Sequence, residues 1–258
     1  MAHSLSRDRV RSGPSRSTTQ GLRLVLTEVR KQLNTRAGQA LLVGSAAVLG
    51  LVYLVGALGG TALDLEAALS LGLLPLGLLL PIIAIMGVTG EWTQRNAQVT
   101  FILEPRRGRV LAAKILASML LALGLLLLST VAGTVATLVA SLVSGEPAVW
   151  RVDPIVLLGL VAVLVLGTLQ AAAFAALLHS TTAAIVAFLV LPTGFSFAVV
   201  LVPGVHAVVP WIDLNSATAP LTELGVTALQ LLQLATAMLL WIVLPLGLGW
   251  WRSVTREP

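Results

Sequence analysis

A bundle of membrane-crossing helices is the fold class this sequence predicts, and three observations carry it. Of the 258 residues, 57% are hydrophobic and only 10% charged, whereas an ordinary soluble domain is roughly 25% charged. Mean hydropathy is +0.97. The apolar residues collect in runs of the roughly 20 needed to cross hydrocarbon as a helix, without the ten-residue alternation of a barrel strand. The expected architecture is an all-α polytopic membrane protein of six transmembrane helices, preceded by an amphipathic surface helix, with a short cytoplasmic loop helix between spans two and three.

Residues 1–19 carry Arg7, Arg9, Arg11 and Arg16 among serines with no apolar core. That composition is neither a signal peptide nor a packed element and predicts a disordered, basic cytoplasmic tail. Over residues 20–36, Leu22, Val25, Leu26, Val29 and Leu33 recur at helical spacing, with Arg23, Thr27, Arg30, Lys31 and Asn34 on the other face. The spacing predicts an amphipathic interfacial helix, too short in apolar content to span and basic on its wet side.

The transmembrane domain is expected over residues 37–251. Its spans fall at about 39–58, 69–89, 115–143, 154–178, 183–202 and 224–251. Pro75 and Pro81 predict a bend in the second span, and the third is long enough to tilt or to project beyond the bilayer. Only Ser180, Thr181 and Thr182 separate spans four and five, which makes them antiparallel neighbours. Residues 203–223, with Pro203, Pro210, Pro220, Trp211, Asp213 and Asn215, predict a compact, partly embedded external cap. Trp250 and Trp251 close the last span at the interface, and 252–258 form a second cytoplasmic tail.

Six spans put both termini on one side, and charge says which. Fifteen of the sixteen Lys and Arg residues lie in the amino-terminal region, in the loop 90–114 or in the tail, and only Arg151 lies opposite. The positive-inside rule makes the termini and that loop cytoplasmic, in a multi-pass protein of the plasma (inner) membrane. The opposite loops carry Asp64, Glu66, Glu146, Asp153, Asp213 and Glu223.

Several chemistries lack their residues. The expected span centres hold no Asp, Glu, Lys, Arg or His, the usual trace of an ion-coupled relay. No G-x-x-x-x-G-K-[ST] phosphate loop occurs, so this chain has no nucleotide-binding motif of that kind. His3, His179 and His206 are far apart, there is no cysteine, and no metal ligand set or catalytic residues are expected. Polar residues within the spans are Tyr53, Thr130, Thr134, Thr137, Gln170, Gln230 and Gln233. They read as interhelical hydrogen-bonding groups; alternatively Gln170, Gln230 and Gln233 line a mostly apolar substrate cavity.

The loop 90–114, GEWTQRNAQVTFILEPRRGRVLAAK, is the long polar interruption of the chain. Glu91 and Arg95 are four apart and pair on one helix turn, Trp92, Val99 and Ile102 or Leu103 recur at helical spacing, and Pro105 stops the helix. The bland reading is a solvated charge run that sets topology; the sharper one is a docking element for a cytoplasmic partner.

The pattern G-E-W-T, then E-P-R-R-G-R-V and A-A-K, resembles the loop after the second span of type-2 ABC exporter permeases. The basic entry helix, the six spans and the proline-rich cap agree in order, so the resemblance covers the chain from about residue 20 onward. It implies a half-transporter without its own ATPase domain, working with a second permease copy, as a homodimer, and with a separate ABC ATPase subunit that holds ATP and Mg; this chain itself would carry no cofactor. ATPase coupling would fall to Glu91, Trp92, Arg95, Val99, Phe101, Glu104, Arg106, Arg107 and Arg109, with Glu28, Arg30 and Lys31 of the entry helix pairing to Glu91 or Arg95. The cargo would be hydrophobic or amphiphilic: a lipid, drug, natural product or peptide. The alternative is a membrane scaffold or sensor that uses the same loop to recruit a partner without transporting anything. No nucleic-acid role is expected.

Overall fold

The computed structural model describes residues 15–59, 63–93, 107–201 and 204–255, and these are helical with no strand among them. Among the described residues five helices are long and apolar enough to cross a membrane, so the chain is a helical multi-pass membrane protein.

The amphipathic helix α1 is Ser15–Asn34. It stops short of the expected boundary because Thr35 is extended and its hydroxyl accepts the Gly38 N–H at 3.0 Å. That contact satisfies an orphan donor and starts a new helix, α2, Arg36–Leu58. Next comes α3, Leu65–Thr93, begun by Asp64, whose carboxylate accepts the Ala67 N–H at 2.6 Å. It runs through Pro75 and Pro81 and on into the first residues of the polar loop. Residues 94–106 lie outside the described part.

Helix α4, Arg107–Ser144, has 38 residues and is therefore about 57 Å long at 1.5 Å per residue. That is nearly twice the hydrocarbon thickness of about 30 Å. Its first turns take up residues 107–114, expected as loop, and extend the span past its apolar stretch. Helix α5, Pro154–Leu178, starts at an Asp153 cap with proline in its first turn and ends at His179, whose φ of 51° is left-handed. Helix α6, Thr181–Leu201, contains Pro192. It is 21 residues long and apolar through most of its length.

The expected cap consists of short pieces: a 3-10 turn at Val205–Ala207, α7 (Val209–Ile212), α8 (Leu214–Thr218) and a 3-10 turn at Ala219–Thr222. The chain then forms α9, Ala228–Met238, a π-helical turn at Leu239–Val243, and α10, Leu244–Thr255.

Alternation of direction gives the bundle two ends. One, the loop end, holds α1, the start of α4 and the end of α10; the other, the cap end, holds the short helices. Helix α3 is central, touching α2, α4, α5 and α6. One core joins Leu49 and Tyr53 of α2 to Leu76 and Leu80 of α3 and Ala136 and Ala140 of α4. A second joins Ile85 and Val88 of α3 to Ala171, Ala172, Phe174 and Ala175 of α5. Small residues let backbones approach closely, as membrane bundles require in the absence of a hydrophobic drive between helices. Two glycines mark places where backbone meets backbone of another element. A Cβ on Gly249 would lie 2.6 Å from the Ala176 carbonyl carbon, and one on Gly159 would overlap the Leu221 carbonyl oxygen of the cap.

Candidate functional site

The polar groups at the loop end converge on Glu28. Its carboxylate is 2% exposed and is held at both oxygens. Lys114 Nζ of α4 donates to Oε2 at 2.8 Å and Lys31 Nζ, one turn along α1, donates to Oε1 at 2.9 Å. The two lysines differ in kind. Lys114 is buried, whereas the Lys31 side chain is 46% exposed, so only the Lys114 bond joins two helices in a water-poor setting.

One turn further along both helices the pattern repeats with neutral groups. Gln32 Nε2 donates to Ser118 Oγ at 3.4 Å, and Ser118 Oγ donates to the Lys114 carbonyl at 3.0 Å. Beside these polar pairs Val25 packs with Ala113 and Ala117. Gln32 also lies against Gly87 of α3, where any side chain would collide with its carboxamide. Its Oε1 is buried with no hydrogen-bond partner among the described residues. Helix α1 is thus clamped to α4 and passes over α3, the two helices that flank the polar loop.

The other helices are tied at the same end. Thr89 Oγ1 of α3 lies within hydrogen-bonding distance of the Ile85 carbonyl, at 2.8 Å, and shares a 2.7 Å hydrogen bond with the Thr181 hydroxyl of α6. Arg252 Nη1 of α10 donates to the Leu177 carbonyl at 2.9 Å, placing a cation on the negative end of α5. Trp250 of α10 packs over Gly108 of α4. This arrangement is mechanical in character: it fixes helices to one another around the loop. Among the described residues no group of three or more His, Asp and Glu is placed to hold a metal.

The expected site residues are distributed unevenly. Glu28 and Lys31 lie in the cluster, and Arg30 is exposed on α1. Arg109 is half-buried in the first turn of α4; Arg107 begins that helix, with its side chain outside the described part. Glu91 and Trp92 belong to the last turn of α3, again without described side chains. Arg95, Val99, Phe101, Glu104 and Arg106 lie wholly outside the described residues, as does the pairing of α1 with Glu91 or Arg95.

The three glutamines do not come together. Gln170 is buried in α5, 16 residues beyond Pro154, whereas Gln230 is in the first turn of α9. That separates them by on the order of 20 Å along the bundle. Gln230 is occupied in a capping box: Thr227 N donates to Gln230 Oε1 at 2.7 Å and Gln230 N donates to Thr227 Oγ1 at 3.3 Å. Gln233 is half-buried one turn on.

Sequence reasoning missed Lys114 as the partner of Glu28. The signal was present: Glu28 and Gln32 on one helix and Lys114 and Ser118 on the other are both polar pairs four residues apart, so their spacings match.

Fold and site define a helical membrane protein with a polar joint at one end of its bundle. No protein-family model matches the chain, and no curated protein is significantly similar to it.

Proposed function

We propose that this chain is the membrane subunit of an ATP-driven exporter, of the type-2 ABC permease kind, and that the joint around Glu28 transmits the partner's motion. Both termini and the polar loop face the cytoplasm, α6 completes six crossings of the plasma membrane, and two copies work with two separate ATPase subunits that bind ATP and Mg. The cargo is hydrophobic or amphiphilic. The observation that supports this most is the buried Glu28–Lys114 pair. Helix α4 emerges directly from the polar loop, so a force on the loop reaches α4 at its first turns. There the ion pair makes α1 and α4 move together, and the packing of α3 against α5 and α6 extends the displacement through the bundle. A loose joint would dissipate the push.

Purification in mild detergent from native membranes should recover a phosphate-loop ATPase with the permease. Recovery of a kinase or another regulator in its place, with no ATPase, would favour the scaffold reading and set the exporter aside.

A further inference from the structure

The last span consists of two pieces held to different partners. Its upper piece, α9, packs chiefly against the cap helices α7 and α8. Thr236 Oγ1 of α9 lies 3.1 Å from the Trp211 carbonyl, and Ala237 shares a core with Leu214 and Ala217 of α8. The lower piece, α10, packs against α5 and α4. There Gly249 meets the Ala176 backbone, Arg252 holds the Leu177 carbonyl, and Trp250 covers Gly108. Between the two pieces lies the π-helical turn Leu239–Val243.

Pro245 accounts for that turn. It has no N–H for the Trp241 carbonyl four residues back, and in an α-helix its ring would press on that carbonyl. The helix widens instead: the Leu244 N–H donates five residues back, to the Leu239 carbonyl, and not to Leu240. The Leu240 carbonyl is then left with no N–H of its own helix, since that of Leu244 is engaged and Pro245 has none. A backbone bond that would resist bending is missing at this level, and such gaps are where helices bend.

We infer that the π-helical turn is a joint, on which α9 and the cap swing as one body while α10 stays with α4 and α5. In the structure this body is docked. Its seam with the bundle is Leu166 and Leu169 of α5 against Leu214, Ala217 and Ala237, together with the contact of Gly159 and the Leu221 carbonyl. Among the described residues the seam holds no ion pair, so it parts without stranding a charge. Trp241 sits at the pivot: its N–H donates to the Ile212 carbonyl of the cap, and its ring meets Phe174 and Phe195 of the bundle. The swing uncovers the face of α5 that carries Gly159, Leu166 and Leu169.

The chain has no cysteine, so nitroxide labels can be placed in pairs. Leu142→Cys, at the cap end of α4, is the fixed reference, combined with Val208→Cys of the cap, Leu232→Cys of α9 or Leu248→Cys of α10; all four positions are exposed. Distances are read by double electron–electron resonance on the full chain in phosphatidylcholine nanodiscs, with labelled chain diluted in unlabelled chain. Labels at 142 and 248 should give one distance. Labels at 142 and 208, and at 142 and 232, should each give two, in the same proportions. Pro245→Ala supplies the missing N–H and should lower the undocked population about fivefold, the equivalent of one net backbone hydrogen bond. Gly159→Ala sets a methyl against the Leu221 carbonyl and should make that population the larger one. Leu166→Ala, which thins the seam without adding bulk, should shift it the same way. One distance for every pair, in the parent and in each of these variants that folds, would overturn the joint. Two distances at 208 with one at 232 would show the cap moving without α9 and would overturn it as well. No ATPase is present in these discs, so a rigid last span and a failure of the transport reading are separate results.

Discussion

Lys114→Ala should lower folding stability by about 3 kcal/mol, the low end of the range for removing one partner of a buried ion pair. The Glu28 carboxylate, 2% exposed, would lose the buried counter-charge it has among the described residues. Lys31 would remain at 2.9 Å, which keeps the loss from being larger. The comparison with Lys31→Ala is the informative one: that side chain is 46% exposed, and a partly solvated pair of this kind contributes at most about 1 kcal/mol. The asymmetry should be visible as the difference in thermal midpoint between the two variants in detergent. Pairing Lys114→Met with Glu28→Gln removes both charges and should recover most of the lost stability, because the larger part of the cost is the stranded carboxylate. If Lys31→Ala proves as damaging as Lys114→Ala, the burial argument for the joint is wrong.

Trp241→Ala should cost about 3–5 kcal/mol, the usual range for truncating a packed aromatic. Trp241 lies in the π-helical turn that joins α9 to α10 and makes contacts to three other elements. Its indole N–H donates to the Ile212 carbonyl of the cap. Its ring meets Phe174 of α5 edge-on at 5.9 Å and Phe195 of α6 edge-on at 5.8 Å, geometries that contribute about 0.5–1.5 kcal/mol each beyond burial. One side chain therefore joins the cap to three helices. Trp241→Phe keeps a ring but leaves the Ile212 carbonyl without this donor, at about 1–3 kcal/mol. Denaturation in detergent should thus rank alanine below phenylalanine below the parent, and a cap that stays docked and equally stable in the alanine variant would count against this role.

The legible parts of the fold follow from solvent. Long apolar runs must cross hydrocarbon, and backbone groups there must bond internally, so the helices announce themselves. The amphipathic character of α1 was equally plain, since its leucines keep helical spacing through a basic background. Its function as a clamp was not, because which turn of α4 lies beside Glu28 depends on how far that helix extends past its apolar stretch. That extension is hidden in residues 107–114, whose charges read as loop. The capping role of Gln230 is legible in the sequence, because Thr227-Ala-Leu-Gln230 is a local helix-start signature. Trp241 carries no sequence signal at all, since its partners come from α5, α6 and the cap, 29 to 67 positions earlier.

The proposed coupling of an ATPase to the bundle runs through the loop between α3 and α4. Its most direct test is the ATP hydrolysis rate of the purified complex in liposomes, with the parent chain or with Glu91→Ala, Arg106→Ala and Arg107→Ala combined. On this proposal the parent chain should stimulate the ATPase, and the triple variant, inserted and folded to the same level, should lose most of that stimulation. Equal stimulation by the two, at matched amounts of bound ATPase, would contradict it.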